Sequence, residues 1–261
     1  MAARVLAVAN QKGGVGKTTT ALTLSSALGN YGKRTLAVDL DPHVSASIHL
    51  RCYPEEMEAT VFDLFVHSGP ELAAVWSRVR LWEPGKRFEF APGHKRLSDL
   101  EVDLSGRKGK GLLLKRALES VLDEYDYIVL DCPPHLGVLL VNALVAADLL
   151  VVPLQTDFMA VHGLKLLFET VGTLNKLRPT PLRYKVLPTM FDARASACRR
   201  VLQLLREKLG ENMFSTIVHM DTKFREASAQ GRTVSDAYPE SRGALEYQQL
   251  AKEIISHEQK S

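Results

Sequence analysis

A chain of 261 residues, 46% hydrophobic and 24% charged, is long enough to bury a sizeable core and too ordinary in composition for a disordered or fibrous protein. Lys plus Arg number 33 against 30 Asp plus Glu, a formal charge of +3 that permits a nucleic-acid partner only if the basic residues cluster. Cys52, Cys132 and Cys198 lie far apart with no C-x-x-C pair, which argues against a disulfide framework or a zinc or iron–sulfur site and fits a reducing cytoplasm.

In chain order, the apolar run 5–9 is short and leads straight into Asn10-Gln-Lys-Gly-Gly-Val-Gly-Lys-Thr-Thr-Thr20, so it reads as a strand and not as a secretory signal. A helix-compatible stretch, 19–31, follows. Strand, glycine-rich turn and helix start in that order make a phosphate cradle, with backbone N–H groups pointing inward and the helix N-terminus adding positive partial charge. Gly13, Gly14, Val15 and Gly16 supply the turn, Lys17 reaches the β- and γ-phosphates, and the Thr18 hydroxyl faces Mg²⁺. The loop departs from the usual pattern at Gln11, where a glycine is expected, and carries an extra lysine, Lys12, at its mouth.

The run 35–38 is a second strand and closes on two acids, Asp39 and Asp41. Residues 51–111 are the least regular part, with Trp76 and Trp82 as packing residues, a short strand at 88–91, and no assignable role beyond decorating the sheet edge. A helix over 111–124 precedes the strand 127–130, which places Asp131 at the carboxyl edge of a central strand, where ligands bind in open α/β sheets. Residues 136–154 are almost continuously apolar and about long enough to span a membrane, but Asn142 and Asp148 interrupt them and Pro153 sits near their end. They read better as a helix over 138–147 and a buried strand over 149–152. Helices over 163–177, 197–208 and 245–256 alternate with strands over 185–187 and 215–218. Such alternation predicts a doubly wound, mostly parallel α/β sheet with helices on both faces, in a single domain over residues 1–261 and with no helix-turn-helix ahead of Arg4.

The acids at the strand ends complete a nucleotide site. Mg²⁺ keeps most of its water shell, so outer-sphere carboxylates such as Asp131 and Asp39 suit it. A helix cap or a surface ion pair is the bland alternative for Asp131, and the loop outweighs it. His43, His49, His67, His94, His135 and His219 show no metal-like spacing and read as surface or loop residues. Cys132 reads as a small core residue.

At these positions the chain resembles the ParA/MinD family, P-loop ATPases that form ATP-dependent sandwich dimers. Lys12-Gly-Gly-Val-Gly-Lys17-Thr18-Thr19, Val38-Asp39-Leu40-Asp41-Pro42 and Leu130-Asp131-Cys132-Pro133-Pro134 match its deviant Walker A, A′ and B motifs. Val152-Pro153-Leu154-Gln155 with Ala160 and Gly163-Leu164 looks like the family's dimer-facing helix, and Ser241-Arg242-Gly243-Ala244 like the approach to its last helix. The resemblance implies that Lys12 crosses the dimer interface onto the partner's phosphates and that Asp41 positions the attacking water. It implies further that Asp39 lies near the metal, that Thr19 and Asp192 contact ATP, and that the cofactors are ATP and Mg²⁺. Phosphoryl transfer is mainly positioning and charge neutralisation, so a lysine from the opposing subunit couples hydrolysis to a homodimer.

The resemblance also frames the partners. The MinD branch holds membranes through a basic amphipathic tail, and the tail here, from Ala251 to Ser261, lacks the faces such a helix needs. The ParA branch binds DNA without sequence preference. Arg194 and Lys223 align with basic residues used there, Arg199 and Arg206 lie seven apart, and Arg200, Arg225 and Arg232 add nearby charge. A solvated basic face is the competing account. A ParB-like or other stimulating partner, and a cytoplasmic, nucleoid-associated or polar location, follow from the same branch. His219-Met220 stands where Pro-Arg is frequent, and Asp157 and His162 where Glu is common. The loop around His43, residues 61–65 and residues 221–228 look more like the chemotaxis-associated ParA-like proteins, which position chemoreceptor arrays. Metabolic synthetases with the same loop and an ATP-gated adaptor of negligible turnover remain the alternatives, the first disfavoured by Lys12 and the paired acids.

Overall fold

The computed structural model describes residues 2–81, 87–104, 106–157 and 164–258. Among them, β1 (Arg4–Val8), β2 (Thr35–Asp39), β3 (Glu89–Ala91), β4 (Tyr127–Asp131), β5 (Leu149–Gln155) and β6 (Arg183–Thr189) form one sheet in the order β3-β2-β4-β1-β5-β6. Every strand pairing in it is parallel. The helices, in chain order, are α1 (Lys17–Asn30), α2 (Ser45–His49), α3 (Asp63–Val66), α4 (Glu71–Val79), α5 (Leu100–Asp103), α6 (Leu113–Glu119) and α7 (Val138–Ala146). They continue with α8 (Leu164–Asn175), α9 (Ser196–Leu209), α10 (Lys223–Ala229), α11 (Val234–Ala237) and α12 (Arg242–Glu258).

Alternation along each strand divides the core into two layers, because successive side chains point to opposite faces. Leu6 and Val8 of β1, with Val129 and Val151, pack beneath α1 and α12 through Leu24, Leu28, Tyr247 and Leu250. Val5 and Ala7, with Ile128, Leu130 and Val152, pack beneath α3, α4, α6, α7, α8 and α9 on the other face. Strands covered on both sides are apolar at nearly every position, as parallel sheets require. The two faces also explain the site. The chain leaves β1 towards α1 on one face and leaves β4 towards α7 on the other, so the connections diverge and open a crevice between neighbouring strands.

Residues 51–111 do more than decorate an edge. Phe62, Phe65, Leu72, Trp76, Leu97 and Leu100 are buried in the larger core, and the Trp76 indole donates to the Ala117 carbonyl at 2.7 Å. Glu101 accepts from the backbone N–H of Val138 at 2.7 Å, capping the start of α7 just after the Asp131 strand. Trp82 lies outside the described residues, as do Ala160, His162 and Gly163.

The strand expected over 215–218 does not form. The N–H groups of Ser215 and Thr216 turn to the Glu253 carboxylate at 2.9 and 3.2 Å, and Pro188 of β6 has no N–H to offer. The segment therefore follows β6 through isolated bridges, Val186 to Met213 and Phe191 to His219. The helix expected over 111–124 shortens to α6, preceded by a 3₁₀ turn and followed by tight turns. β5 continues through Pro153. Val151 faces β1, where Ala9 N–H meets its carbonyl, so Pro153 two residues on faces the same side after β1 has ended. Its own carbonyl accepts from the Asn10 side chain at 2.8 Å.

Candidate nucleotide site

Three contacts hold residues 10–17 open over the end of β1. The Asn10 side chain accepts from the Lys12 N–H at 3.0 Å while donating to Pro153, and the Thr189 hydroxyl donates to the Val15 carbonyl at 2.9 Å. Gly14 and Gly16 stand in left-handed backbone conformations, at φ 72° and 90°, which side chains disfavour. Gly13 has no such φ, and a Cβ there would meet nothing within 4 Å. Its own fold does not demand a glycine, so the open space over it is room for a ligand. Gly16 caps α1 without a side-chain bond, leaving the first N–H groups of that helix for an anion.

Lys17 is buried, with its ammonium donating to the Lys12 carbonyl at 3.3 Å. Burial lowers its pKa, while the charges of Asp131 and Asp41 pull it back up. Strand register delivers the acids. Asp131 lies opposite Val8 of β1 on one side and opposite Asp39 of β2 on the other. Asp39 accepts from the Ser47 N–H at 3.0 Å, the Ser47 hydroxyl at 2.7 Å and the Asp41 N–H at 3.1 Å, which ties α2 to the strand end. Asp131 differs. Both its oxygens are buried with no hydrogen bond of ordinary geometry, although Thr18 stands near enough to favour the charged form.

An orphaned carboxylate beside a threonine hydroxyl and an open anion cradle is a donor set that fits Mg²⁺ with a phosphate chain. Thr18 and Asp131 would hold the ion, Asp39 supporting them. When bound, Mg²⁺ neutralises phosphate charge.

Burial pushes the Asp39 carboxyl up to about 6, the Asp41 charge adding to the rise and the bonds from Ser47 opposing it. Burial and the Asp39 charge also push Asp131 well above the usual range. A carboxyl with a raised folded pKa keeps its proton after the unfolded chain has lost it, so the ligand-free fold loses stability as pH climbs from about 4 through about 6. Melting temperatures across that window should fall less for Asp131→Asn than for the natural chain. Equal slopes would show that the acid cluster carries no such cost.

Lys12 does not enter the cradle. It stands at the rim, half-exposed, paired with Asp157 after β5 at 2.7 Å. Asp41 is buried, and one of its oxygens receives both the N–H of His43 at 3.0 Å and the His43 ring at 2.8 Å. The sequence alone gives His43 no role; its position two residues after a site acid, the spacing of an Asx turn, is the signal it offers. Cys132 is fully buried and its thiol is pushed well up by burial, as suits a core residue. Thr19 lines a cavity of about 450 Å³ together with His49, and with Phe224 and Arg225 of α10.

The expected basic residues gather beyond β6. The Phe191–His219 bridge and the bond from Met220 N–H to the Phe191 carbonyl set the Asp192–Arg194 turn beside the start of α10. Arg194 pairs with Asp192 at 3.0 Å, holding that acid down to about 2 through its hydrogen bonds. Lys223 pairs with Glu226 at 2.6 Å and lies over the Tyr238 ring. Arg199 donates to the Ala193 and Arg194 carbonyls, and Arg200 and Arg225 are exposed. Gly243 lets α12 approach α10, since a Cβ there would lie 2.5 Å from the Phe224 ring. Among the described residues no helix is long and apolar enough to cross a membrane.

A glycine-rich loop between β1 and α1, with acids at the ends of the two strands beyond it, defines a P-loop nucleotide-binding protein. Residues 3–184 match the AAA domain family. The sporulation initiation inhibitor protein Soj of Bacillus subtilis is 35% identical over 97% of this chain and 99% of its own length. The chromosome partitioning protein ParA of Caulobacter vibrioides is 36% identical over 98% of this chain and 95% of its own. The chain belongs to the ParA/Soj family. Cobyrinic acid a,c-diamide synthase of Mycobacterium smegmatis, a solved structure, is 30% identical with a TM-score of 0.82, covering 98% of this chain and 94% of that one. A further structure of that synthase holds ADP and magnesium.

Proposed function

We propose that this chain is an ATPase of the partition and positioning kind, which binds ATP with Mg²⁺, closes as a sandwich dimer, holds DNA without sequence preference and lets go on hydrolysis. The observation that carries this reading is Lys12. The cradle already has its phosphate lysine in Lys17, and a second lysine on the outer rim serves a site outside its own loop. A dimer supplies such a site, with the partner's phosphates facing the rim. The partner that stimulates turnover is a ParB-like protein, and the location is cytoplasmic, on the nucleoid or at a pole. The cargo is DNA or a cellular assembly such as a chemoreceptor array, as the segments around His43 and residues 221–228 suggest. The synthase likeness favours a second reading, ATP-dependent activation of a carboxylate, because that likeness spans 98% of this chain and 94% of the synthase.

DNA binding draws support from Arg194 and Lys223 lying on neighbouring segments beside exposed Arg200 and Arg225. Each of the first two has its own acid, yet such exposed pairs are screened by solvent and exchange readily for a phosphate. Arg194→Glu and Lys223→Glu are therefore expected to lose ATP-dependent retention on DNA while keeping ATPase activity. The salt slope of binding should flatten by roughly 0.9 for each phosphate that is no longer neutralised. Retention unchanged in both variants, or identical with ATP, ADP and no nucleotide, would remove DNA from the proposal. ATP turnover that rises with a carboxylate substrate such as cobyrinic acid and ignores DNA would favour the synthase reading instead.

A further inference from the structure

We infer that His43 is a positioning residue for Asp41, fixing which carboxylate oxygen is left to meet the attacking water. The inference rests on the reading of Asp41 given above. Asp41 follows β2 by two residues, and its N–H is held by Asp39. Its Oδ1 takes two bonds from one residue, the His43 backbone N–H at 3.0 Å and the ring Nδ1 at 2.8 Å. The ring can donate here in the tautomer that carries its hydrogen on Nδ1. With both donors on Oδ1, the carboxyl plane is fixed and Oδ2 is the oxygen left without a hydrogen bond among the described residues. Asp41 belongs to the site, since it is buried and its N–H bonds to Asp39, which stands opposite Asp131. Reaction rates depend steeply on such orientation, and a misplaced group costs up to about 10²-fold.

The ring adds something the turn alone lacks. The backbone bond closes an Asx turn that any residue at position 43 could make. The side chain of His43 is 67% exposed, against 9% for Asp41, so it packs little and replacing it should leave the fold intact. Its ring reaches back from solvent onto a buried acid, which is the geometry of a clamp and not of a core contact.

The two donors are separable by substitution. His43→Ala keeps the backbone bond and loses the ring; His43→Asn returns a nitrogen donor at the place of Nδ1, since both are two bonds beyond Cβ. Single-turnover hydrolysis of Mg²⁺–ATP by the full chain is the readout, with ATP affinity and melting temperature measured alongside. His43→Ala is expected to slow hydrolysis roughly tenfold at unchanged affinity and melting temperature, and His43→Asn to restore it to within about twofold of the natural chain. A full rate in His43→Ala, or an Asn variant as slow as the Ala variant, overturns the inference. Asp41→Ala is run in parallel: if it hydrolyses normally, the role of Asp41 itself falls; if it is dead while His43→Ala is fast, only the role of His43 falls.

Discussion

Lys17→Ala is expected to weaken ATP binding by about two orders of magnitude or more. The lysine is buried at the floor of the cradle, with Asp131 and Asp41 among the charges acting on it. Charge-assisted hydrogen bonds are worth about 1.5–3 kcal/mol each, and the proposed role gives this ammonium two phosphate groups. Removing it also leaves Asp39, Asp41 and Asp131 as a cluster of acids facing a polyanion, so repulsion adds to the missing attraction. Titration calorimetry with Mg²⁺–ATP measures the effect, and circular dichroism checks that the variant is folded. A dissociation constant within about threefold of the natural chain would mean that the loop does not bind phosphate as assigned.

How much of this is legible in the sequence follows from the range of each interaction. The loop and its acids are legible because each is local. Residues 10–17 carry their own turn chemistry, and four apolar residues closing on Asp131, or three closing on Asp39, state a buried strand and its end. Register then has to bring the two acids side by side, and it does, Asp39 opposite Asp131. The missing strand at 215–218 shows the opposite case. Its apolar residues suit a strand, but the N–H groups of Ser215 and Thr216 are claimed by Glu253, 38 residues away from Ser215, and no local pattern announces that. The rim contact from Lys12 to Asp157 spans 145 residues, and the Glu101 cap on α7 spans 37. Residues 51–111 look irregular because their elements are too short to show a period, yet they bury Trp76 and Phe65 as fully as the regular helices bury their leucines. His43 is a third case, because a histidine read alone carries no sign that its ring folds back onto the acid two residues before it.

Asp41→Ala is expected to separate binding from chemistry. ATP affinity should stay within about threefold of the natural chain and ATP-dependent dimers should persist, whereas single-turnover hydrolysis should fall by about 10²-fold or more. The phosphate contacts assigned above belong to the loop, Lys17 and Thr18, and none of them passes through Asp41. Losing one buried negative charge beside Lys17 removes repulsion towards the nucleotide, so ground-state binding has no reason to weaken. Hydrolysis is different because water has to be held in line with the phosphate chain, and the proposal assigns that to the Asp41 carboxylate that His43 clamps. On the proposed cycle, dimers measured by light scattering with ATP should therefore outlast those of the natural chain, since the step proposed to dissolve them has been slowed. Normal turnover by purified Asp41→Ala protein would sink the assignment and with it the idea that hydrolysis times release. A variant that also failed to bind ATP would point instead to Asp41 as part of the fold of the strand end, through the bond from its N–H to Asp39 and its turn with His43.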